Sequence, residues 1–270
     1  MSRLVGIGIQ LWSHVAPRVA AKWLLDKFMT PRPWRHSSTE PDGERYDLAD
    51  GGVLWRVGAG KKSVLFVHGW SGHRDQFEPV IAALREQDCA VYLLDPPGHG
   101  ASASQRSNPV RFIRAVEEAF SLAGKLDLAA GHSMGGSALL HASLSNPELA
   151  PRQLVSISAP ADFDYPIRSA ARLARFGRTA TERFVAMVEH EVGKPRDELK
   201  LLPKAKGTKL RLHVIHDKDD PQIPLSHAHS LTENWPDAAL LETAGHGHNR
   251  VLRSAELVAM IDRLTALGVR

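Results

Sequence analysis

The chain is short of the residues that staple a fold from outside. A single cysteine, Cys89, stands among 270 residues, so no internal disulfide can form and a reducing, cytoplasmic setting is expected. Cys89 heads an apolar run and reads as a small buried hydrophobe. No His-Glu-x-x-His, Cys-x-x-Cys pair or Gly-x-x-x-x-Gly-Lys occurs, so no metal, nucleotide or other cofactor is expected. Aromatics make up only 6% of the residues and are not interleaved with the basic ones. With a net charge of only +4, nucleic acid is not an expected partner. No apolar stretch reaches the length of a membrane span.

The N-terminus begins basic and then apolar, but Gln10, Ser13 and His14 interrupt it and no small-residue cleavage site follows. Leu11, Val15, Val19 and Trp23 recur at helical spacing, with Ala20, Leu24 and Phe28 beside them. Arg18, Lys22 and Lys27 lie off that stripe. This pattern predicts a helix within residues 1–35, bent at Pro17 and packed on the rest of the domain. Peripheral contact with a membrane surface is the second reading of the same helix.

Beyond residue 35 the chain alternates regularly. After the Pro-rich break at residues 30–35, short strand-like pieces occupy about 44–58, with a turn at Asp50-Gly51-Gly52. Apolar runs at 63–69, 89–95, 126–132, 152–159, 210–216 and 238–243 are then separated by amphipathic, helix-patterned segments. Such a sequence predicts an α/β fold whose mainly parallel sheet is covered by helices on both faces. The alternation lapses at about 162–208, read as a small helical cap inserted into a domain spanning 36–270. From Tyr165 to Arg211 this segment has twelve Lys/Arg against five Asp/Glu. A solvated surface is its first reading; a lid attracting anionic substrates or an anionic membrane is its second.

The run at 126–132 leads into Gly131-His132-Ser133-Met134-Gly135-Gly136 and then a helix. A strand turning sharply into a helix needs glycine where the chain crowds itself, and it leaves Ser133 exposed at the C-terminal edge of the sheet. A serine hydroxyl is a weak nucleophile that requires a base, and the base an orienting acid. Downstream, Asp217, Asp219 and Asp220 follow one strand, and His246 and His248 follow the last. The order serine, acid, histidine, each at a strand's C-terminal end, makes Ser133 a candidate nucleophile.

Over residues 60–265 this arrangement resembles the α/β-hydrolase superfamily, within it a group of small bacterial serine hydrolases. VLFVHGW resembles its oxyanion-loop strand, LLDPPGHGAS its Asp-x-Pro-Gly-His-Gly-x-Ser turn and GHSMGG its nucleophile elbow. DDPQIP resembles its acid loop and GHGHNRVL its histidine loop. The resemblance implies an α/β-hydrolase fold and a cofactor-independent serine esterase acting on a small acyl substrate. Thioesterase, amidase or peptidase, and acyltransferase chemistry are alternatives on the same residues, and a non-catalytic binding protein is a further one. By motif, Ser133 is the nucleophile, Asp220 the acid and His248 the base. Asp217 and Asp219 remain alternatives for the acid, their other reading being solvated loop charges, and His246 is read as a neighbour and the alternative base. The oxyanion hole is assigned to the backbone amides of Met134 and Trp70. The Trp70 side chain, with Phe163 and Tyr165, is a candidate for lining the acyl pocket, and Phe176 and Phe184 for the apolar underside of the cap. His68 and His99 are expected to brace loops, and Asp95 to end a strand.

Overall fold

In the computed structural model the described residues are 3–34 and 38–267. Along the chain come α1 (Arg3–Val15), α2 (Pro17–Phe28), β1 (Glu44–Asp47), β2 (Val53–Val57) and β3 (Lys62–Val67). Next are α3 (Glu78–Leu84), β4 (Cys89–Asp95), α4 (Pro109–Ala123), β5 (Leu128–His132) and α5 (Met134–Ser145). β6 (Gln153–Ile157), α6 (Asp164–Leu173), α7 (Arg178–Val192), α8 (Leu202–Ala205) and β7 (Arg211–Asp217) come after them. The last elements are α9 (Ser226–Asn234), β8 (Asp237–Thr243), α10 (Gly247–Arg250) and α11 (Ala255–Leu267). Among the described residues no helix is long and apolar enough to cross a membrane.

The eight strands form one sheet in the order β1-β2-β4-β3-β5-β6-β7-β8. β1 and β2 are antiparallel at one edge, and every pairing from β4 to β8 is parallel. The central strands are apolar on both faces because helices cover both. On one face Phe66 and Phe77 pack with Leu257, Ile261 and Leu264 of α11. On α4, Phe112, Ala115, Val116, Ala119 and Phe120 are all buried. The strand order reverses at β3, whose neighbours are β4 and β5, and the C-terminal ends of β3 and β5 open the crevice where ligands bind in such sheets.

The chain divides into two units. The sheet belongs to the one comprising Arg32–Ala161 with the residues from Leu201 onward. The other joins the residues up to Pro31 with Asp162–Lys200. The N-terminal region thus groups with Asp162–Lys200 of the insertion.

In place of one bent helix there are two, because Pro17 has no N–H to donate and instead starts α2 at its first position. The stripe expected to pack is the exposed one. Leu11 is 62% exposed, Val15 85% and Val19 58%, while Ala20, Ala21, Leu24 and Leu25 point inward. They do so because α2 packs on α7, where two adjacent alanines permit close approach and Ala180, Phe184, Val185 and Val188 are buried. Phe184 meets Phe28 edge to face at 5.5 Å. It is therefore a core residue of this unit, shared with α2.

The join between β5 and α5 depends on missing side chains. A Cβ on Gly135 would overlap the carbonyl oxygens of Val67 and His68, and one on Gly136 would lie 2.8 Å from Ala159 Cβ. Backbone cannot yield as a flexible side-chain tip can, so Gly135→Ala should lower unfolding free energy by about 3 kcal/mol, read from urea midpoints. An unchanged midpoint would contradict the close approach of α5 to the end of β3.

Candidate active site

Ser133 sits between β5 and α5 with φ 51° and ψ −121°. For a residue with a side chain this left-handed φ costs about 1–3 kcal/mol and persists only where surroundings enforce it. Here the Ser133 amide donates to Ile157 O at 2.9 Å, and its carbonyl accepts from the Ser137 amide at 3.1 Å. The amide of Met134, at the first position of α5, lies among the helix donors that no carbonyl within the helix can satisfy. The β3 loop backs directly on this turn, since a Cβ at Gly69 would lie 2.9 Å from Ser133 Cβ.

The acid and histidine loops meet beside it. His248 Nδ1 donates to Asp220 Oδ2 at 2.7 Å, and both side chains are almost wholly buried. A carboxylate only accepts, so Nδ1 carries the proton of this bond, and Nε2 is the nitrogen free to take one up when the ring is neutral. Asp220 Oδ1 accepts from the amides of Gln222 at 2.7 Å and Ile223 at 3.0 Å, a side-chain-to-backbone turn that fixes the carboxylate. Burial pushes the Asp220 carboxyl up, but the hydrogen bond and charge of His248 and these two amides outweigh it and hold it below the usual carboxylate value. His216, fully buried, donates from Nε2 to Ile223 O at 2.8 Å and steadies the same loop.

Of the two other aspartates, Asp219 is exposed to water, whereas Asp217 is not a solvated charge. Asp217 is fully buried; its Oδ2 accepts from Thr243 Oγ1 at 2.8 Å and from the His246 amide at 3.0 Å. Its Oδ1 accepts from the Asp219 amide at 3.0 Å. Burial raises this carboxyl, yet the amide of Gly247 and the other donors together hold it below its ordinary value. Asp219 Oδ2 accepts from the Gly245 amide at 2.9 Å. Both therefore staple the acid loop to the histidine loop. His246 lies on the other side of that loop, its Nε2 3.6 Å from Glu256. A hollow of about 250 Å³ beside His248 is lined by residues of these two loops, among them Pro221, Gln222 and Asn249.

His132 joins the site without a motif to announce it, although it immediately precedes Ser133. Its Nε2 donates to the carbonyl oxygen of His248 at 2.8 Å, and the two rings lie 4.8 Å apart. Burial, aided by the nearby His248 charge, lowers its pKa to about 3, so it is neutral at physiological pH.

The loop after β3 is held from several sides. His99 Nε2 accepts from the Ser71 amide at 2.9 Å while its Nδ1 donates to Pro97 O at 3.1 Å. Burial, then the charge of His68, lower the His99 pKa to about 3 and keep it in this neutral form. Ser71, at φ 56°, also accepts the Arg32 amide on its hydroxyl at 2.9 Å. The half-buried Trp70 ring stacks on Phe112 at 5.9 Å and meets His99 edge-on at 5.4 Å. His68 Nδ1 donates to Gly69 O at 2.8 Å. Behind the loop, Asp95 Oδ2 accepts from the Arg74 guanidinium, from Trp55 Nε1 at 3.2 Å and from the Ala101 amide at 3.1 Å. Phe163 and Tyr165 belong to the other unit, at the start of α6. Phe163 is buried, and Tyr165 is half-buried with the Arg172 guanidinium 5.7 Å from its ring. Cys89 is only partly buried, and burial pushes its thiol up. Among the described residues no group of three His, Cys, Asp or Glu side chains is placed to hold a metal ion.

Residues 58–190 match the family model described as "Serine aminopeptidase, S33". A pimeloyl-[acyl-carrier protein] methyl ester esterase of Xylella fastidiosa is 31% identical over 97 residues, which is 36% of this chain and 36% of that protein. The chain thus matches about a third of the length of this curated relative. Among solved structures, α/β hydrolase domain-containing protein 10 from mouse is similar with a TM-score of 0.67 at 16% identity, over 83% of this chain and 98% of that one. Esterase Pf2001 from Pyrococcus furiosus gives 0.65 at 17%, over 88% and 98%. The fold is that of the α/β hydrolases.

The two neutral histidines make stability depend on pH. Unfolded, each has an ordinary pKa of 6.5; folded, His99 and His132 lie at about 3. Between those values the unfolded chain binds more protons, so stability falls as pH drops from about 6.5 toward 3, with a slope approaching about 2.7 kcal/mol per pH unit. Urea midpoints taken through that range measure it, and His99→Gln should remove about half of the slope. A flat profile between about pH 6 and 4 would contradict the neutral buried imidazoles.

Proposed function

We propose that the chain is a serine hydrolase of carboxylic esters that works through Ser133, His248 and Asp220. The observation that carries this reading is the buried Asp220–His248 hydrogen bond, tied through His132 to a strained serine turn. Ser133 Oγ attacks the acyl carbon and its proton passes to His248 Nε2, the nitrogen free to take it up when the ring is neutral. Negative charge develops on the carbonyl oxygen, and the Met134 and Trp70 amides meet it. Asp220, anionic and fixed by two backbone amides, holds the imidazole in the required tautomer and stabilises the imidazolium.

His248 then gives its proton to the departing alcohol, leaving an acyl group on Ser133. Water, deprotonated by the same nitrogen, attacks the acyl-enzyme, and the acid leaves as Ser133 recovers its proton. The named activity of the curated relative, a methyl ester esterase, supports an ester as the scissile group. The small-molecule acyl substrate and the assignment of Trp70 to its binding belong to this same reading.

Ser133→Ala should lower turnover of short aryl esters on the order of a millionfold, and Asp220→Asn on the order of ten-thousandfold. Steady-state kinetics over esters, thioesters and amides, with Ser133→Ala as background, read both effects. Unchanged ester hydrolysis in Ser133→Ala would overturn the proposal, and a strong preference for thioester or amide over ester would overturn the substrate class.

A further inference from the structure

The unit built from α1, α2 and the insertion has an outer face that nothing in its own packing covers. Among the described residues nine large hydrophobic side chains are exposed, and five lie on α1 and α2: Ile7, Leu11, Val15, Val19 and Trp23. A sixth, Leu173, is 78% exposed at the end of α6 in the same unit. The helix residues recur every four positions, which keeps them on one side of each helix while Ala20, Ala21, Leu24 and Leu25 face the opposite way, into α7. Water-facing helices of ordinary domains place charge there; this one places side chains that lose free energy to water.

The residues framing the stripe give the chemistry of what covers it. Trp23 meets Trp12 edge to face at 5.8 Å, and paired indoles with an apolar body and an N–H tip favour the boundary between hydrocarbon and water. From Gly6 to Phe28 the charged residues are Arg18, Lys22 and Lys27 against one acid, Asp26. Asp26 is already paired with Lys22 at 2.6 Å, and Arg18 and Lys27 are exposed. The insertion adds an excess of cations to the same unit, with Arg172, Arg175, Arg178 and Arg183 all exposed. An apolar stripe bordered by cations is complementary to acyl chains beneath an anionic headgroup layer. A second copy of the chain would bring the same positive charge against itself and is disfavoured by it.

We infer that α1 and α2 dock this protein on an anionic lipid surface, with Leu11, Val15, Val19 and Trp23 entering the interface and Arg18 and Lys27 pairing with headgroups. The inference is independent of the hydrolase reading, because it rests on exposed side chains of the other unit.

The full chain should co-sediment with vesicles of phosphatidylcholine and phosphatidylglycerol and far less with phosphatidylcholine alone. Binding should weaken as salt rises to about 0.5 M. Leu11→Glu with Val15→Glu should cut binding about tenfold or more, and Arg18→Gln with Lys27→Gln should reduce the preference for the anionic vesicles. Both pairs are solvent-facing, so thermal melts and turnover of a short soluble ester should stay unchanged. No sedimentation, or sedimentation that neither pair alters, would overturn the inference. So would a dimer in analytical ultracentrifugation that Leu11→Glu with Val15→Glu dissolves, since the stripe would then be a self-interface.

Discussion

The hydrogen bond from His132 Nε2 to the backbone oxygen of His248 joins two segments 116 residues apart in sequence. One of them turns Ser133 outward, and the other presents an imidazole whose proton is fixed by Asp220. Its Nε2 donates to a carbonyl that can only accept, which in the neutral ring fixes the Nε2–H tautomer. Burial supplies that neutrality by making the charged form costly, holding the pKa near 3. The relation between serine and imidazole therefore rests on a third side chain that takes no part in the proposed proton transfer.

The remaining loops are held in the same way, with backbone amides satisfied by side-chain acceptors. Asp217 and Asp219 collect amides of the histidine loop, Asp220 collects two of its own, and His99 caps the Ser71 amide beside Trp70. Two serines, Ser71 and Ser133, stand at positive φ on either side of the crevice where the strand order reverses. Strain of this kind survives because each residue's hydrogen bonds fix it from several directions. Catalysis of the proposed type needs that arrangement in advance, since donors that must reorganise lose most of their effect on a developing oxyanion.

Much of the sheet was legible in the chain, because fully apolar runs between amphipathic segments leave few alternatives to a covered parallel sheet. The strand turning at Gly131 and Gly135 was legible for a similar reason, glycine standing where backbones touch. Asp217, read as solvated, is buried, and Asp219, though exposed as expected, also holds a backbone amide. Their partners lie on a loop 26 to 29 residues away, and only the pairing of β7 with β8 brings the two together. The N-terminal stripe was misread in direction. Periodicity shows that a helix has an apolar side, yet the alanine-rich side proved to be the packed one, because small residues let α2 approach α7. The grouping of that hairpin with the insertion depends on contacts between segments far apart in sequence, which composition does not encode.

The central claim is that one serine hydroxyl, activated by His248, is the nucleophile. Its most direct test is to treat the intact chain with a serine-directed fluorophosphonate and locate the adduct by peptide mass spectrometry. A single adduct on Ser133 is predicted, formed far more slowly in His248→Ala. An adduct on another residue, or labelling of Ser133 at the same rate without His248, would contradict it.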